Sequence, residues 1–268
     1  MSKFSVLITG GRGYIGQNLQ KFLEDKGIHC VIWDSKNDKQ VEELALIPTE
    51  AVVHLAALPS VAGCKNDMKS AVRDNILATL SLFHITETKE VIFASSGAAN
   101  EPNANFYATC KYIAEEEAFR LNKLGTRIKV MRFSNVFGGE GYIDNKTSVV
   151  AKFAKAKLNK KSIVINGNGL QKRDFIHVDD ICNAIYLGLT KTDDELYNEP
   201  IEIGSGNKTS ILELAKMFDC DYRFDLGSDM VGVSEAFANT ERAKNLLGFN
   251  VSKKIEDYVK VIPTISSS

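Results

Sequence analysis

Short runs of apolar and β-branched residues recur through the first half of the chain, each followed by a stretch of helical spacing. Phe4–Thr9 is such a run. After it, Ile15, Leu19, Phe22 and Leu23 fall at i, i+4, i+7 and i+8, which predicts a helix with one buried face. His29–Trp33 and Ala51–Leu55 repeat the strand signal. Ser70–Thr86 then reads as a helix, Glu90–Ala94 as a strand, Phe106–Leu124 as a long helix and Arg127–Met131 as another strand. Alternation of this kind implies an α/β fold with a doubly wound parallel sheet, whose ligands bind beyond the carboxyl ends of the strands. Gly13, Asp34, Ala56, Ser95, Ser96 and Asn135 each lie just after a predicted strand, so one crevice should gather them.

The second half loses this rhythm. Gly138-Gly-Glu-Gly141 and Gly167-Asn-Gly169 mark loops, Ser162–Ile165 and Phe175–His177 read as short strands, and Val178–Leu189 and Ile211–Phe218 read as helices. The economical division is a nucleotide-binding domain over residues 1–134 plus 176–199. A smaller C-terminal lobe over 135–175 and 200–268 then covers the crevice. Thr264–Ser268 reads as a frayed tail.

Candidate chemistry begins at the first turn. Gly10-Gly-Arg-Gly13-Tyr-Ile-Gly16 sits between the first strand and the first helix. Missing side chains let backbone approach a pyrophosphate, and the helix N-terminus adds N–H groups and a positive dipole end. The competing reading is an ordinary tight turn. Asp34 ends the second strand, 34 − 16 = 18 residues past the last loop glycine. That is close to the ~20 expected for a carboxylate on the adenosine ribose. A carboxylate there repels a 2′-phosphate, so NAD is expected rather than NADP.

Composition narrows the partners. The chain has 268 residues, 44% hydrophobic and 25% charged, with a formal net charge of −1. No basic field suggests nucleic acid. Five scattered cysteines without a Cys-x-x-Cys pair suit reduced thiols rather than disulfides or zinc, and no metal constellation appears. The opening strand is too short for a signal peptide and no apolar run reaches membrane length, so a cytoplasmic protein is expected.

Tyr107 and Lys111 stand four residues apart, on one helix face. A phenol is a poor base near neutrality, and a neighbouring ammonium favours its ionised form. Together with the glycine loop, the pair suggests hydride chemistry.

These residues lie within a longer resemblance. Nine segments occur in order from about Val6 to Phe249. They are Thr9-Gly-Gly-Arg-Gly-Tyr-Ile-Gly16, His54-Leu-Ala-Ala57, Asp74-Asn-Ile-Leu-Ala-Thr79, Ala94-Ser-Ser96, Tyr107-x-x-x-Lys111, Arg132-Phe-Ser-Asn-Val-Phe-Gly138, Arg173-Asp-Phe-Ile-His-Val-Asp-Asp180, Ile203-Gly-Ser-Gly206 and the stretch Ala238–Phe249. The chain resembles the extended short-chain dehydrogenase/reductase family, in its NAD-dependent nucleotide-sugar epimerase and dehydratase branch, similar to UDP-glucose 4-epimerases. The resemblance implies a Rossmann-type sheet, NAD as cofactor, a nucleotide-sugar substrate and a homodimer. Ser70–Thr86 and Phe106–Leu124 would form the dimer interface, with Ile113, Phe119 and Leu121 facing a partner. Tyr107 would be the base, Lys111 would bind the nicotinamide ribose, and Ser96 would hydrogen-bond the reacting oxygen. Gly10, Gly13, Tyr14, Ile15, Gly16, Asp34, Leu55, Ala56, Ala57, Asn75 and Ser95 would contact or position the cofactor. Asn135 and Arg173 would hold the substrate near its phosphates. His54 and His177 are expected to be structural, and Asp179-Asp180 to cap a helix.

The chain also departs from the family. Asp34 to His54 is only 54 − 34 = 20 residues, a shortening similar to that of deoxysugar 4-keto reductases. Gly97-Ala98 stand where sugar 4,6-dehydratases carry an Asp-Glu pair, and Asn100 where tyrosine is common. The second diphosphate arginine has no clear counterpart in Leu226–Met230, and Arg223 is out of register. The reading is an NAD-dependent nucleotide-sugar epimerase acting at C4. The alternatives are an NAD(P)H-dependent keto-sugar reductase and a non-catalytic NAD-binding protein of the same fold.

Overall fold

A computed structural model describes residues 4–34, 41–86, 89–145, 147–227 and 235–262. The tail expected at Thr264–Ser268 and most of the Leu226–Met230 segment lie outside them.

The strand runs fold as their spacing predicts. β1 (Ser5–Thr9), α1 (Tyr14–Asp25), β2 (His29–Trp33), β3 (Ala51–His54), α2 (Val61–Asn66), α3 (Met68–Val72), α4 (Ala78–Ile85), β4 (Glu90–Ser96), α5 (Phe106–Asn122) and β5 (Arg127–Phe133) follow in order. All pairings in the central sheet are parallel. Alternation along the strands decides which layer each residue joins. Val6, Ile8, Val53, Ile92 and Met131 pack with Leu19 and Leu23 of α1. Leu7, Val52, Phe93 and Val130 pack on the opposite face, with Phe83 of α4 and Ala114 and Ala118 of α5.

The long helix expected at Ser70–Thr86 is interrupted. Asp67 caps α3 by accepting from Ser70 N at 3.0 Å, and a π turn over Arg73–Leu77 separates α3 from α4. The wider turn directs Asn75 into the protein, where it is fully buried.

In the second half come β6 (Asn135–Phe137), α6 (Val149–Leu158), β7 (Ile163–Asn166), β8 (Lys172–Arg173), β9 (Phe175–His177) and α7 (Val178–Thr190). They are followed by β10 (Ile201–Ile203), β11 (Thr209–Ser210), α8 (Ile211–Met217), β12 (Tyr222–Asp225), β13 (Glu235–Ala236) and α9 (Ile255–Val261). The six-stranded order is β10-β5-β4-β3-β1-β2, so strand order reverses between β1 and β3. Sequence reasoning puts 200–268 wholly in the smaller lobe. Instead β10 pairs with β5 and completes the sheet, and Ala243, Leu247 and Phe249 join its core. Three residues of alternating Ile-Glu-Ile are too short a run to announce a strand. A second core gathers Phe137, Phe153, Ile163, Ile165, Phe175, Leu214 and Phe218 around the small β7–β12 and β6–β9 pairs.

Asp179 and Asp180 lie in the first turn of α7, but the cap is His177, whose Nδ1 accepts from Asp179 N at 3.1 Å. Asp180, almost fully buried, instead accepts from Ser252 N, Ser252 Oγ and Lys253 N, tying the C-terminal segment to the sheet domain.

Candidate active site

A cavity of about 2350 Å³ opens along the carboxyl ends of the strands. That is larger than the ~300–1,000 Å³ of a single drug-sized site, so it has room for two sizeable ligands. Gly13, Asp34, Ala56, Ser95, Ser96 and Asn135, expected in one crevice, all line it.

The glycine loop is built for close backbone approach. Gly10 has φ of +68°, and a Cβ there would stand 2.8 Å from Ala56 N. A Cβ on Gly16 would meet Gly10 O at 2.5 Å. Any side chain would therefore force the loop off the exit of β3. Gly13 is the N-cap of α1 and makes no side-chain cap, which leaves helix N–H groups directed at the crevice. Tyr14 and Ile15 line the same wall, as do Leu55, Ala56 and Ala57 after β3. Tyr14 OH donates to Gly138 O at 2.5 Å, which pins the loop to the segment after β6. This cradle, with Asp34 at the end of β2, fits a dinucleotide.

His54 is structural. Its Nδ1 lies 2.6 Å from Thr9 Oγ1 and its Nε2 3.0 Å from Thr79 Oγ1, and burial drives its pKa down to about 3. Asn75 does not reach the crevice. Its Oδ1 accepts from Leu58 N at 2.7 Å and its Nδ2 donates to Leu58 O at 3.2 Å, so it holds the loop after β3 from behind.

α5 begins where the chemistry requires. Asn105 Oδ1 accepts from Ala108 N at 3.0 Å, capping the helix and placing Tyr107 in its first turn. Lys111 follows one turn later on the same wall. Burial pushes the Tyr107 phenol up to about 12, while hydrogen bonding with Ser96 pulls the other way. Lys111, 3% exposed, donates to Ala94 O at 2.8 Å and stands 4.8 Å from the Phe93 ring centroid. Burial lowers its pKa to about 8. Ser95 also departs from expectation. Its hydroxyl donates to the buried carboxylate of Glu115 rather than toward a cofactor.

At the far end, Asn135 Nδ2 donates to Asp174 O at 3.1 Å. Arg173 is half-buried on β8, with Nη1 donating to Lys172 O at 2.7 Å, and burial lowers its pKa. No carboxylate pairs with it among the described residues. Sequence reasoning passed over Asp174. Fully buried, it accepts from Ser205 N at 2.8 Å, Gly206 N at 2.9 Å and Ala238 N at 3.1 Å, and so gathers two segments beside Arg173. Its signal was its place inside Arg173-Asp-Phe-Ile-His. Among the described residues no group of three or more His, Cys, Asp or Glu could hold a metal ion, and no helix is long and apolar enough to cross a membrane.

Comparison with known proteins agrees with this geometry. The UDP-glucose 4-epimerase of Mycoplasma genitalium is 26% identical, over 96% of this chain and 95% of that protein. The crystal structure of UDP-glucose 4-epimerase with UDP-glucose from Thermotoga maritima superposes with a TM-score of 0.85, at 25% identity over 97% of both chains. UDP-N-acetylglucosamine 4-epimerase from Methanobrevibacter ruminantium gives a TM-score of 0.83 at 25% identity, again over 97% of both. The model of the NAD dependent epimerase/dehydratase family matches residues 6–204, well over half of the sequence, and the chain belongs to that family.

Proposed function

We propose that the protein is an NAD-dependent nucleotide-sugar epimerase that inverts C4 through a 4-keto intermediate. The observation carrying this reading is the composition of one crevice. The glycine cradle and the Ser96, Tyr107 and Lys111 side chains line it together, and so does Arg173, a half-buried guanidinium with no carboxylate partner among the described residues.

When bound, NAD supplies the acceptor and donor of the hydride. Gly10, Gly13 and Gly16 would take its pyrophosphate against backbone, and Asp34 its adenosine ribose. Tyr107 accepts the proton of the C4 hydroxyl and later returns it, while Ser96 hydrogen-bonds the same oxygen. Burial alone keeps the phenol neutral, so proton abstraction draws on the Lys111 ammonium one turn along α5. Arg173 suits a diphosphate, because a planar fork donates to two phosphate oxygens at once. Asn135 lines the crevice at the same end as Arg173, bonded to the carbonyl of the next residue, Asp174. The second core, built from residues within 137–175, 211–218 and 255–262, forms the substrate-binding lobe.

A dimer through α3, α4 and α5 is also proposed. Met68, Leu77 and Ile113 expose 54%, 58% and 40% of their surfaces there. Leu121 is buried and Phe119 packs against the core, so neither serves such an interface. A monomer by light scattering at micromolar concentration rejects it. Five free thiols suit a reducing compartment, and we place the protein in the cytoplasm.

One observation favours a second reading, a keto-sugar reductase. Between Asp34 and β3 the described chain forms just a 3₁₀ turn over Val41–Leu46. The deciding assay incubates pure protein with a panel of nucleotide sugars, with and without added NAD(P)H. An epimerase interconverts saturated sugars without added reductant. Stoichiometric NAD(P)H loss on a 4-keto sugar, with no isomer formed from any saturated one, rejects the epimerase.

A further inference from the structure

Behind the catalytic helix lies a buried carboxylate for which the reaction described above has no use. Glu115 is four residues beyond Lys111, hence on the same face of α5, and is 1% exposed. Ser95 and Arg132 are cross-strand partners of β4 and β5, so both side chains reach the same layer. The Ser95 hydroxyl donates to Glu115 Oε1. Arg132 Nε donates to Oε1 at 2.9 Å and to Oε2 at 3.1 Å, and Nη2 stands 2.5 Å from Oε2. The guanidinium is shared further. Its Nη1 donates to Asn100 Oδ1 and lies 3.9 Å from Glu202 Oε1. Asn100 Nδ2 donates to that same Glu202 oxygen at 2.6 Å, and Glu202 Oε2 accepts from Asn239 N at 2.6 Å. Two carboxylates thus divide one cation, and the cluster keeps a net negative charge beside Lys111.

We infer that Glu115 is a positioning residue of the reaction: clamped by Ser95 and Arg132, it is the counter-charge that holds the buried Lys111 as an ammonium, ready to act on Tyr107. The other groups facing Lys111 cannot do this. Tyr107 and Cys110 on α5 and Cys64 on α2 are neutral groups whose burial pushes their pKa values up. His54 on β3 is held neutral by burial. Burial of Lys111 favours the free amine, and Glu115 is the foremost influence opposing it. An amine at position 111 would still donate to Ala94 O, but it would lend Tyr107 no positive charge. The geometry therefore separates two functions on one helix face. Lys111 acts on the phenol, and Glu115 acts on Lys111.

The activity arm of the test rests on the epimerase reading; the spectroscopic arm does not. Protein carrying ¹³C-labelled lysine is titrated by NMR, with the Lys111 resonance assigned through Lys111→Met, in wild type and in Glu115→Gln. The variant should lower the Lys111 midpoint by about one pH unit or more, the scale of losing one close opposite charge. The alkaline limb of the turnover profile should move down by the same amount, giving roughly tenfold lower activity per unit on that limb and a smaller change at the optimum. Should Glu115→Gln fail to fold around an unmatched Arg132, the double variant Glu115→Gln/Arg132→Met leaves no orphan cation and should also titrate lower than wild type. Glu115→Asp should recover part of the shift. A Lys111 midpoint unmoved in a folded variant overturns the inference, whatever the activity does. Absence of epimerase turnover in wild type would instead reject the proposed function and leave the lysine titration to decide this point.

Discussion

Replacing Lys111 with methionine should abolish turnover and yet stabilise the protein at neutral pH. The lysine pays for its place in the crevice wall, because its pKa falls from the ordinary 10.5 to about 8 on burial. A difference of 10.5 − 8, about 2.5 units, corresponds to about 3 kcal/mol at 1.36 kcal/mol per unit. Against this stand the hydrogen bond to Ala94 O and the contact with the Phe93 ring. Together these are worth about 1–2 kcal/mol. Methionine has a similar length and no charge, so the net gain should be about 1–2 kcal/mol, or roughly 2–6 °C in Tm for a chain of this size. The pH dependence follows from proton counts. Below pH 8 lysine is charged in both states, and the folded state bears the full penalty. From about 8 to 10.5 the unfolded chain binds more protons than the folded one, so wild-type stability rises with pH. The advantage of methionine should therefore be complete below pH 8 and fade through that window. Urea denaturation of both proteins at pH 7 and pH 10, without cofactor, measures it. A variant less stable than wild type at pH 7, or a difference constant across the window, refutes the reasoning.

Tyr107→Phe removes the titratable oxygen and leaves the ring in place, so turnover should fall by about 10²–10⁴-fold while stability changes by less than about 1 kcal/mol. Near-normal turnover, read by chromatography of the sugars, would assign the base to another residue. Asp34→Ser removes the charge that would face a 2′-phosphate. NADP should bind tighter to the variant than to wild type, by roughly tenfold. Unchanged affinities for NAD and NADP in calorimetric titrations would mean that Asp34 does not reach the ribose.

Much of the fold was legible because the central strands are buried on both faces and announce themselves as continuous apolar runs. Val6-Leu7-Ile8 shows this well: alternate side chains enter different cores, yet all are apolar. β10 was missed because it needs just three residues once β5 supplies a partner. The break within Ser70–Thr86 was missed for a different reason. A π turn changes helical phase by one residue, and the apolar spacing on either side still resembles a single helix. The consequence is local and chemical, since Asn75 is drawn away from the crevice and onto the Leu58 backbone.

The glycine cradle and the Tyr107–Lys111 pair were legible because both are local. A turn and one helical repeat fix their geometry within a few residues. Ser95 and Glu115 were not legible, because their meaning depends on which strand lies beside which. In sequence, Glu115-Glu-Glu117 is a run of three acids and suggests a solvated face. Glu116 does face solvent, and Glu117 pairs with Arg120 at 2.7 Å on the surface. Helical phase sets Glu115 apart. Four residues past Lys111 it must enter the protein wherever Lys111 does, and a buried carboxylate persists only with a partner. The β4–β5 register provides that partner by placing Arg132 opposite Ser95. A buried Lys111 thus brings with it a buried Glu115, and a buried Glu115 brings Arg132. The charge that prepares the phenol is therefore set as much by the pairing of two strands as by the helix that carries it.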